Sequence, residues 1–209
     1  MKKNKADTER TLHEIEVALA KTDMFSFVRN IVAFNVNGLS EVFPLHHEAD
    51  MLVMSKSGYL TEIEIKRSWS DFLADFKKSH HHDKGELVKT FYYCIPASLH
   101  NRVVEYLDDI DDFGVDGIVT YTKELRIELH PYRHPEWKYE FHRHARKLFL
   151  EQQLELARFG AMRSVTLRET LANAEKEISK LKLIGGNRND DIHYRGRVTD
   201  GDGLPLYVA

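Results

Sequence analysis

Two acidic residues and a lysine stand on neighbouring predicted strands of this 209-residue chain. Polar and apolar residues alternate along residues 59–66, which places Glu62, Glu64 and Lys66 on one face of a β-strand. The apolar run just before them predicts a second strand, which carries Asp50. Acidic and basic side chains held side by side on two strands are typical of a site that binds a cation or moves a proton.

The connection between the two strands indicates how they pair. Gly58 in this short segment predicts a tight hairpin turn, because glycine tolerates a positive φ. If Ser55 pairs with Tyr59 across a three-residue loop, Asp50 lies directly opposite Glu64. Directly opposed β-carbons are about 4.5–5.5 Å apart, and two carboxylates so close repel unless a cation or a proton intervenes. The spacing therefore predicts a divalent metal site.

The ligands available favour a hard cation such as Mg²⁺ or Mn²⁺, which prefers oxygen. Asp50 and Glu64 would supply carboxylates, the carbonyl of Ile65 would add a third oxygen, and Glu62 is a further candidate. Lys66 is a cation placed to position an attacking water or to stabilise the charge that develops on a phosphate.

This order of residues, Asp50 on one strand and Glu64-Ile65-Lys66 on the next, resembles the PD-(D/E)xK nuclease superfamily. The resemblance implies an α/β, restriction-endonuclease-like core, with a mixed central sheet flanked by helices. It also implies a Mg²⁺- or Mn²⁺-dependent deoxyribonuclease that hydrolyses phosphodiester bonds, with Asp50, Glu64 and Lys66 catalytic. Superfamily members often have a proline before the first acid, whereas this chain has Ala49.

The chain is also similar to one small branch of that superfamily, the MmcB-like proteins of prophage and DNA-repair type. Three stretches carry this similarity: residues 66–78, 91–96 and 117–119. The match covers roughly residues 8–130 and implies endonuclease activity in DNA repair or in restriction of mobile elements. Many superfamily members place a glutamate of the first helix near the metal, and Glu14 is preferred to Glu16 for that position.

The elements expected around these residues follow the order of the superfamily core. They are a helix at 8–20, a strand near 31–35, the two hairpin strands, a helix at 70–79, a strand at 87–95, a helix at 97–107 and strands at 115–121 and 124–130. Cys94 lies in the buried strand among these, which indicates a structural thiol.

Basic residues follow the predicted site along the chain. They are Arg67, Lys77, Lys78, His80 and Lys84. The simpler interpretation is that cations near the end of a helix complement its dipole. The functional interpretation is a patch that contacts DNA phosphates beside the metal. His46 and His47, which shortly precede Asp50, are candidate phosphate donors or proton shuttles at the mouth of the same site.

Composition sets the outer limits. Hydrophobic residues make up 42% of the chain and charged residues 30%, with a net charge of −3, so no global charge attracts nucleic acid. The single cysteine excludes a disulfide framework. No long apolar stretch or signal segment is evident, which predicts a soluble, cytoplasmic protein without a membrane partner.

Three regions are expected along the chain: a nuclease-like domain at 1–133, a helical extension at 134–185 and a flexible tail at 186–209. Within the extension we expect a basic, aromatic helix at 136–158 and a second helix that starts at a capping box formed by Thr166 and Glu169. A 4-3-4-3 spacing of apolar residues follows: Leu167, Leu171, Ala174, Ile178 and Leu181. This spacing predicts a short coiled-coil seam, which would pack on the domain or join two copies of the chain.

Two other functions fit the sequence. The chain is a non-catalytic nucleic-acid-binding or scaffold protein on a nuclease-like fold if the helix at 136–158 carries the binding. It is an oligomerisation adaptor if the C-terminal seam dominates. The presence of both acids together with Lys66 favours the enzyme, because a binding protein does not need them.

Overall fold

The structure is a computed structural model that describes residues 10–39, 41–77, 87–109, 114–132 and 145–186, without the side chains of residues 38, 39, 46 and 182–186. The chain divides into two compact units, Met1–Ser164 and Val165–Ala209. Asp50, Glu62 and Glu64, called the acidic cluster below, lie in the first unit.

The described residues form four α-helices, one 3₁₀ turn and six strands. In chain order the elements are α1 (Leu12–Lys21), β1 (Ile31–Leu39), β2 (Pro44–Met54), β3 (Leu60–Ile65), α2 (Trp69–Asp75), β4 (Val88–Pro96), a 3₁₀ turn (Ala97–Leu99), α3 (His100–Asp108), β5 (Gly117–Tyr121), β6 (Ile127–Pro131) and α4 (Leu150–Gly186). The expected elements up to β6 are therefore present, with ends displaced by a few residues. Helix α2 is shorter than the predicted helix at 70–79, whose last two residues lie outside the described ranges.

Within the described residues, the strands form one six-stranded sheet in sequence order from β1 to β6. Strand β3 runs parallel to β4, and β4 runs parallel to β5, while the other neighbouring pairs are antiparallel. Parallel neighbours need a crossover connection, and α2 and α3 lie in the two connections. The protein is thus α/β with a mixed sheet flanked by helices, as the sequence predicts.

The β2–β3 hairpin has the predicted register. The Ser55 amide donates to the Tyr59 carbonyl at 3.1 Å, and Gly58 has a φ of +83° in the turn. Leu52 faces Glu62 across the pair. Because this ladder runs as far as Met51–Ile63, one further step of the same register sets Asp50 level with Glu64.

The two faces of β3 differ in chemistry. Ile63 and Ile65 pack with Ile15 and Leu19 of α1 in one hydrophobic cluster. Glu62 and Glu64 alternate with them and therefore point to the opposite face, on which Phe72 of α2 packs. The acidic residues are thus placed beneath α2.

The C-terminal helix corrects one prediction. A second helix was expected to start at a capping box of Thr166 and Glu169, but α4 runs without interruption through both residues. The Oγ1 of Thr170 instead donates to the carbonyl of Thr166, one turn earlier in the helix, at 2.9 Å. Side-chain hydroxyls can satisfy backbone groups inside a helix as well as at its start, so the motif alone does not locate a helix end.

The remaining C-terminal expectations have different outcomes. Residues 145–149, inside the helix predicted at 136–158, precede the start of α4 at Leu150, and residues 133–144 lie outside the described ranges. The seam residues that were predicted to line one helix face do lie on a helix. Leu167, Leu171, Ile178 and Leu181 are all exposed in this chain. The tail at 187–209 also lies outside the described residues.

Cys94 is fully buried in β4, as the sequence predicts, and it forms no disulfide. Burial raises the pKa of its thiol well above the ordinary value, and the negative charge of Asp50 raises it further. This thiol is structural, because its reactive thiolate form is strongly disfavoured.

Candidate metal centre

Asp50 stands where β2 passes the end of β3. Its Oδ2 accepts a hydrogen bond from the amide of Ile65 at 2.8 Å. Burial and the negative charge of Glu64 raise the pKa of Asp50 to about 7, and the charge of Glu16 adds to this effect. The Ile65 hydrogen bond and the positive charge of Lys66 oppose the rise without cancelling it. Asp50 is therefore a buried carboxyl group with a second carboxylate close to it.

Lys66 is buried between two carboxylates. Its Nζ lies 2.7 Å from Oε1 of Glu64 and 2.7 Å from Oδ1 of Asp75, and all three side chains are at least 94% buried. Burial alone lowers the pKa of Lys66, but the charges and hydrogen bonds of Glu64 and Asp75 outweigh it, so the pKa is raised. Lys66 is consequently a permanent cation in a low-dielectric environment.

Asp75 connects this cluster to the hydrophobic core. Its second oxygen, Oδ2, accepts a hydrogen bond from the Tyr93 hydroxyl at 3.0 Å. Tyr93 lies on β4 and is fully buried, and its ring is 5.1 Å from that of Phe72 on α2. The Tyr93 hydroxyl therefore fixes the carboxylate of Asp75, which in turn fixes the ammonium group of Lys66.

Glu62, the further candidate ligand, has a different partner. Its Oε1 lies 2.6 Å from Nε2 of His47, a residue on β2, and Glu62 itself is fully buried. His47 is thus close to the acidic face of the sheet, as its position before Asp50 predicts. Its hydrogen bond to Glu62 directs that carboxylate towards His47.

The glutamates of α1 occupy different environments. Glu14, preferred from the sequence, forms the capping box with Thr11 and pairs with Arg10 at 2.9 Å, in a half-exposed position. Glu16 is buried, and its negative charge acts on Asp50. The structure thus places Glu16 rather than Glu14 towards the acidic cluster.

Two neighbours hold the Glu16 carboxylate. Its Oε1 accepts a hydrogen bond from the Asn35 side-chain amide at 3.0 Å, and its Oε2 lies 2.9 Å from Nδ1 of His13. Asn35 has a positive φ of 49° on β1, which lies beside β2. A left-handed backbone is unusual for a residue other than glycine. Here it occurs at Asn35, whose side chain orients the carboxylate of Glu16.

The predicted nucleic-acid-binding residues are only partly described. Arg67 and Lys77 are both exposed, one before and one after α2. Lys78, His80 and Lys84 lie outside the described residues. The amide of Arg67 donates to Oδ2 of Asp71 at 3.0 Å.

The donor set can be tested against a hard divalent cation. No group of three or more His, Cys, Asp or Glu side chains within the described ranges is arranged to share one metal ion. Mg²⁺, however, is commonly bound through one or two carboxylates, with waters completing the octahedron. Asp50 and Glu64 meet this smaller requirement, and burial together with the negative charge of Glu64 raises the pKa of Asp50, an effect that a bound cation would oppose. The residues present fit such an ion.

Two participants, Asp75 and Tyr93, were not found from the sequence. A signal for Asp75 exists, because it lies three residues after Phe72 and therefore on the buried face of α2. A charged residue at a core position of a helix predicts a buried partner. Tyr93 gives no comparable signal, since buried aromatic residues are common in central strands.

No family model and no curated protein matches this chain. One solved structure is similar, a protein of unknown function from Silicibacter pomeroyi. It is 14% identical with a TM-score of 0.47, and the match covers 80% of this chain and 95% of that one. Among the described residues, none of the helices has the length and apolar composition required to cross a membrane.

Proposed function

We propose that this chain is a divalent-metal-dependent nuclease of the PD-(D/E)xK type, with a restriction-endonuclease-like core, that hydrolyses phosphodiester bonds in DNA. The observation that carries the proposal is the raised pKa of the Asp50 carboxyl group, together with the buried ammonium group of Lys66 in the same cluster. Burial and the charge of Glu64 raise the pKa of Asp50 to about 7, while Lys66 lies 2.7 Å from Glu64.

The roles of the residues follow from their chemistry. Asp50 and Glu64 would hold Mg²⁺ or Mn²⁺, with the Ile65 carbonyl as a proposed third oxygen and Glu16 as a nearby negative charge. A cation bound there would polarise a phosphoryl oxygen and lower the pKa of an attacking water. Lys66 would stabilise the negative charge that develops on the phosphate oxygens, which is most effective in a buried environment.

Asp75 and Tyr93 would act indirectly. Asp75 shares Lys66 with Glu64, so it keeps the ammonium group in place when Glu64 turns towards a metal. The Tyr93 hydroxyl holds the second oxygen of Asp75 at 3.0 Å and so limits its rotation. We propose both as positioning residues, which act through Lys66 and not by contact with the scissile phosphate.

One observation favours the alternative, a non-catalytic nucleic-acid-binding or scaffold protein on the same fold. The Lys66 side chain is only 4% exposed, and both of its ion pairs are short. A lysine neutralised by two carboxylates can also serve stability alone, although buried ion pairs are costly to desolvate and often contribute little net stability.

Calorimetric titration of Mn²⁺ into the wild type and into Glu64→Gln distinguishes the two functions, when the same samples are assayed on supercoiled and branched DNA. We expect the wild type to bind Mn²⁺ and cleave DNA, and Glu64→Gln to lose both while its circular dichroism spectrum is unchanged. Glu48→Gln is the matched control, because Glu48 is exposed on β2. If the wild type binds no Mn²⁺ even with DNA present, the nuclease proposal is wrong.

A further inference from the structure

A cavity of about 450 Å³ opens at the tip of the β2–β3 hairpin, away from the acidic cluster. It is formed by the chain before β1, the hairpin turn, and the segment that leads into α4. Three cationic residues line it, namely Arg29, Lys56 and Lys147, and no acidic residue is among its described lining.

Main-chain contacts fix the walls of this cavity. The amide of Leu148 donates to the carbonyl of Gly58 at 2.8 Å, so the segment before α4 is held against the hairpin turn. A β-carbon added at Gly58 would lie 3.5 Å from Cβ of Lys147, which shows how closely Lys147 crosses the turn. On the opposite side, the Asn30 side-chain amide donates to the carbonyl of Ser26 at 3.1 Å. The cationic side chains therefore extend from ordered backbone.

Positive charge continues beyond the cavity. Nζ of Lys89, on β4, lies 3.8 Å from the centre of the Tyr59 ring, and Nζ of Lys147 lies 5.7 Å from the same point. One acidic residue is nearby, since Asp23 lies 3.3 Å from Arg29, but its side chain is 94% exposed and thus offers only weak neutralisation. The net charge of this surface is positive although that of the whole chain is −3.

We propose that this basic cavity binds successive backbone phosphates of a nucleic-acid strand. Its volume of about 450 Å³ is larger than a single phosphate ion needs. Its cations come from separate segments and continue to Lys89, which suits an extended polyanion better than a single compact anion.

The cavity is a separate site from the proposed metal centre. Ser55, which lies at the cavity directly after β2, is five residues from Asp50, or about 16 Å at about 3.3 Å per residue. Phosphate binding at the hairpin tip therefore does not depend on the metal ligands, and it can be tested whether or not the chain is a nuclease.

The test measures fluorescence anisotropy of a labelled single-stranded oligonucleotide, and of the duplex of the same sequence, over a series of salt concentrations. The full-length double variant Lys56→Gln/Lys147→Gln is compared with the wild type. The control is Lys123→Gln/Arg126→Gln, which removes two cations from the β5–β6 turn. We expect the cavity variant to bind about tenfold more weakly and its salt dependence to fall by about one to two in log–log slope. The control is expected to retain wild-type affinity.

Pyrophosphate is titrated in the same assay, and all binding is measured in EDTA. Binding without a divalent metal ion does not involve the proposed metal centre, so a failure of that centre leaves this proposal standing. Unchanged thermal unfolding of the double variant shows that folding is not the cause of weaker binding. Three results would overturn the assignment to a nucleic-acid strand. The cavity variant could bind DNA with wild-type affinity, or the control variant could lose as much DNA affinity as the cavity variant does. The third such result is a cavity variant that loses affinity for pyrophosphate but not for DNA.

Discussion

The ammonium group of Lys66 lies 2.7 Å from Oδ1 of Asp75, which joins the end of β3 to the last turn of α2. Lys66 thereby has two anionic partners, and the second comes from an element that the Asp-Glu-Lys pattern does not include. The position of the lysine is set by the tertiary fold as well as by its own strand.

Replacement of Asp75 tests this relationship. Asp75→Asn keeps the shape of the side chain but removes one of the two charges that compensate buried Lys66. We expect the free energy of unfolding to fall by about 3 kcal/mol, because breaking a buried ion pair leaves a charge partly uncompensated. Urea denaturation measures the change, and Asp109→Asn, at an exposed helix end, is the control. Equal stability of Asp75→Asn and wild type would refute a role of this pair in stability.

Cleavage by Asp75→Asn separates positioning from metal binding. If Asp75 acts through Lys66, the rate of DNA cleavage falls at least tenfold while the Mn²⁺ affinity is nearly unchanged. A parallel loss of Mn²⁺ affinity would instead make Asp75 part of the metal site.

The raised pKa of Asp50 predicts how stability depends on pH. The folded protein holds a proton on Asp50 up to about pH 7, whereas the unfolded chain releases it near pH 3.8. Folding is therefore favoured by this group at low pH, and the contribution is lost as pH rises through about 7. Relative to Asp50→Asn, the metal-free wild type should lose on the order of 2 kcal/mol between about pH 5 and about pH 8. Thermal or urea unfolding of both proteins at several pH values measures it, and parallel curves would contradict the raised pKa.

Metal binding should reverse this loss. Mn²⁺ competes with the proton on Asp50, so the increase in melting temperature that it causes should be larger at pH 8 than at pH 5. Glu64→Gln lacks one proposed ligand and is expected to show almost no increase at either pH. An increase of the same size at both pH values would show that the ion binds elsewhere.

Glu16 and Glu14 provide a matched pair on one helix. The charge of Glu16 raises the pKa of Asp50, so Glu16→Gln should lower that pKa and change Mn²⁺ affinity. Glu14→Gln should weaken the helix cap and leave the pKa of Asp50 unaffected. Carboxyl-carbon NMR titration of Asp50 measures its pKa in both variants. The structural distinction fails if the two variants behave alike.

The C-terminal seam leads to a prediction about assembly. Leu167, Leu171, Ile178 and Leu181 recur on one helix and are exposed in the single chain. We expect a second copy of the chain to cover them, so deletion of the residues after Ser164 should lower the native mass to that of a monomer. Sedimentation of both proteins decides this, and a monomeric full-length chain would exclude the seam as an interface.

The sequence predicted the parts of the site that are local. The hairpin register follows from strict alternation and from one glycine at the turn, and both operate within about fifteen residues. The burial of Glu16 also follows from the sequence, because Leu12, Ile15, Glu16 and Leu19 have the helical spacing of a buried face.

Other features depend on contacts between distant segments. The contact of Asp75 with Lys66 requires knowledge of how α2 lies on the sheet, which alternation along one strand does not contain. The uninterrupted course of α4 could not be predicted for a different reason. The sequence spacing of Thr166 and Glu169 is that of a capping box, but the same spacing also occurs inside helices. Local patterns identified candidate residues, whereas packing decided their partners.

The burial of Cys94 has a practical consequence. Because the chain has one cysteine and its thiol is buried in the sheet, we expect the native protein not to react with maleimide reagents. A cysteine introduced at the exposed Ser57 would then be the single reactive thiol of the native fold. A dye attached there would stand beside the basic cavity and report whether DNA binds to it, while Cys94 stays in place.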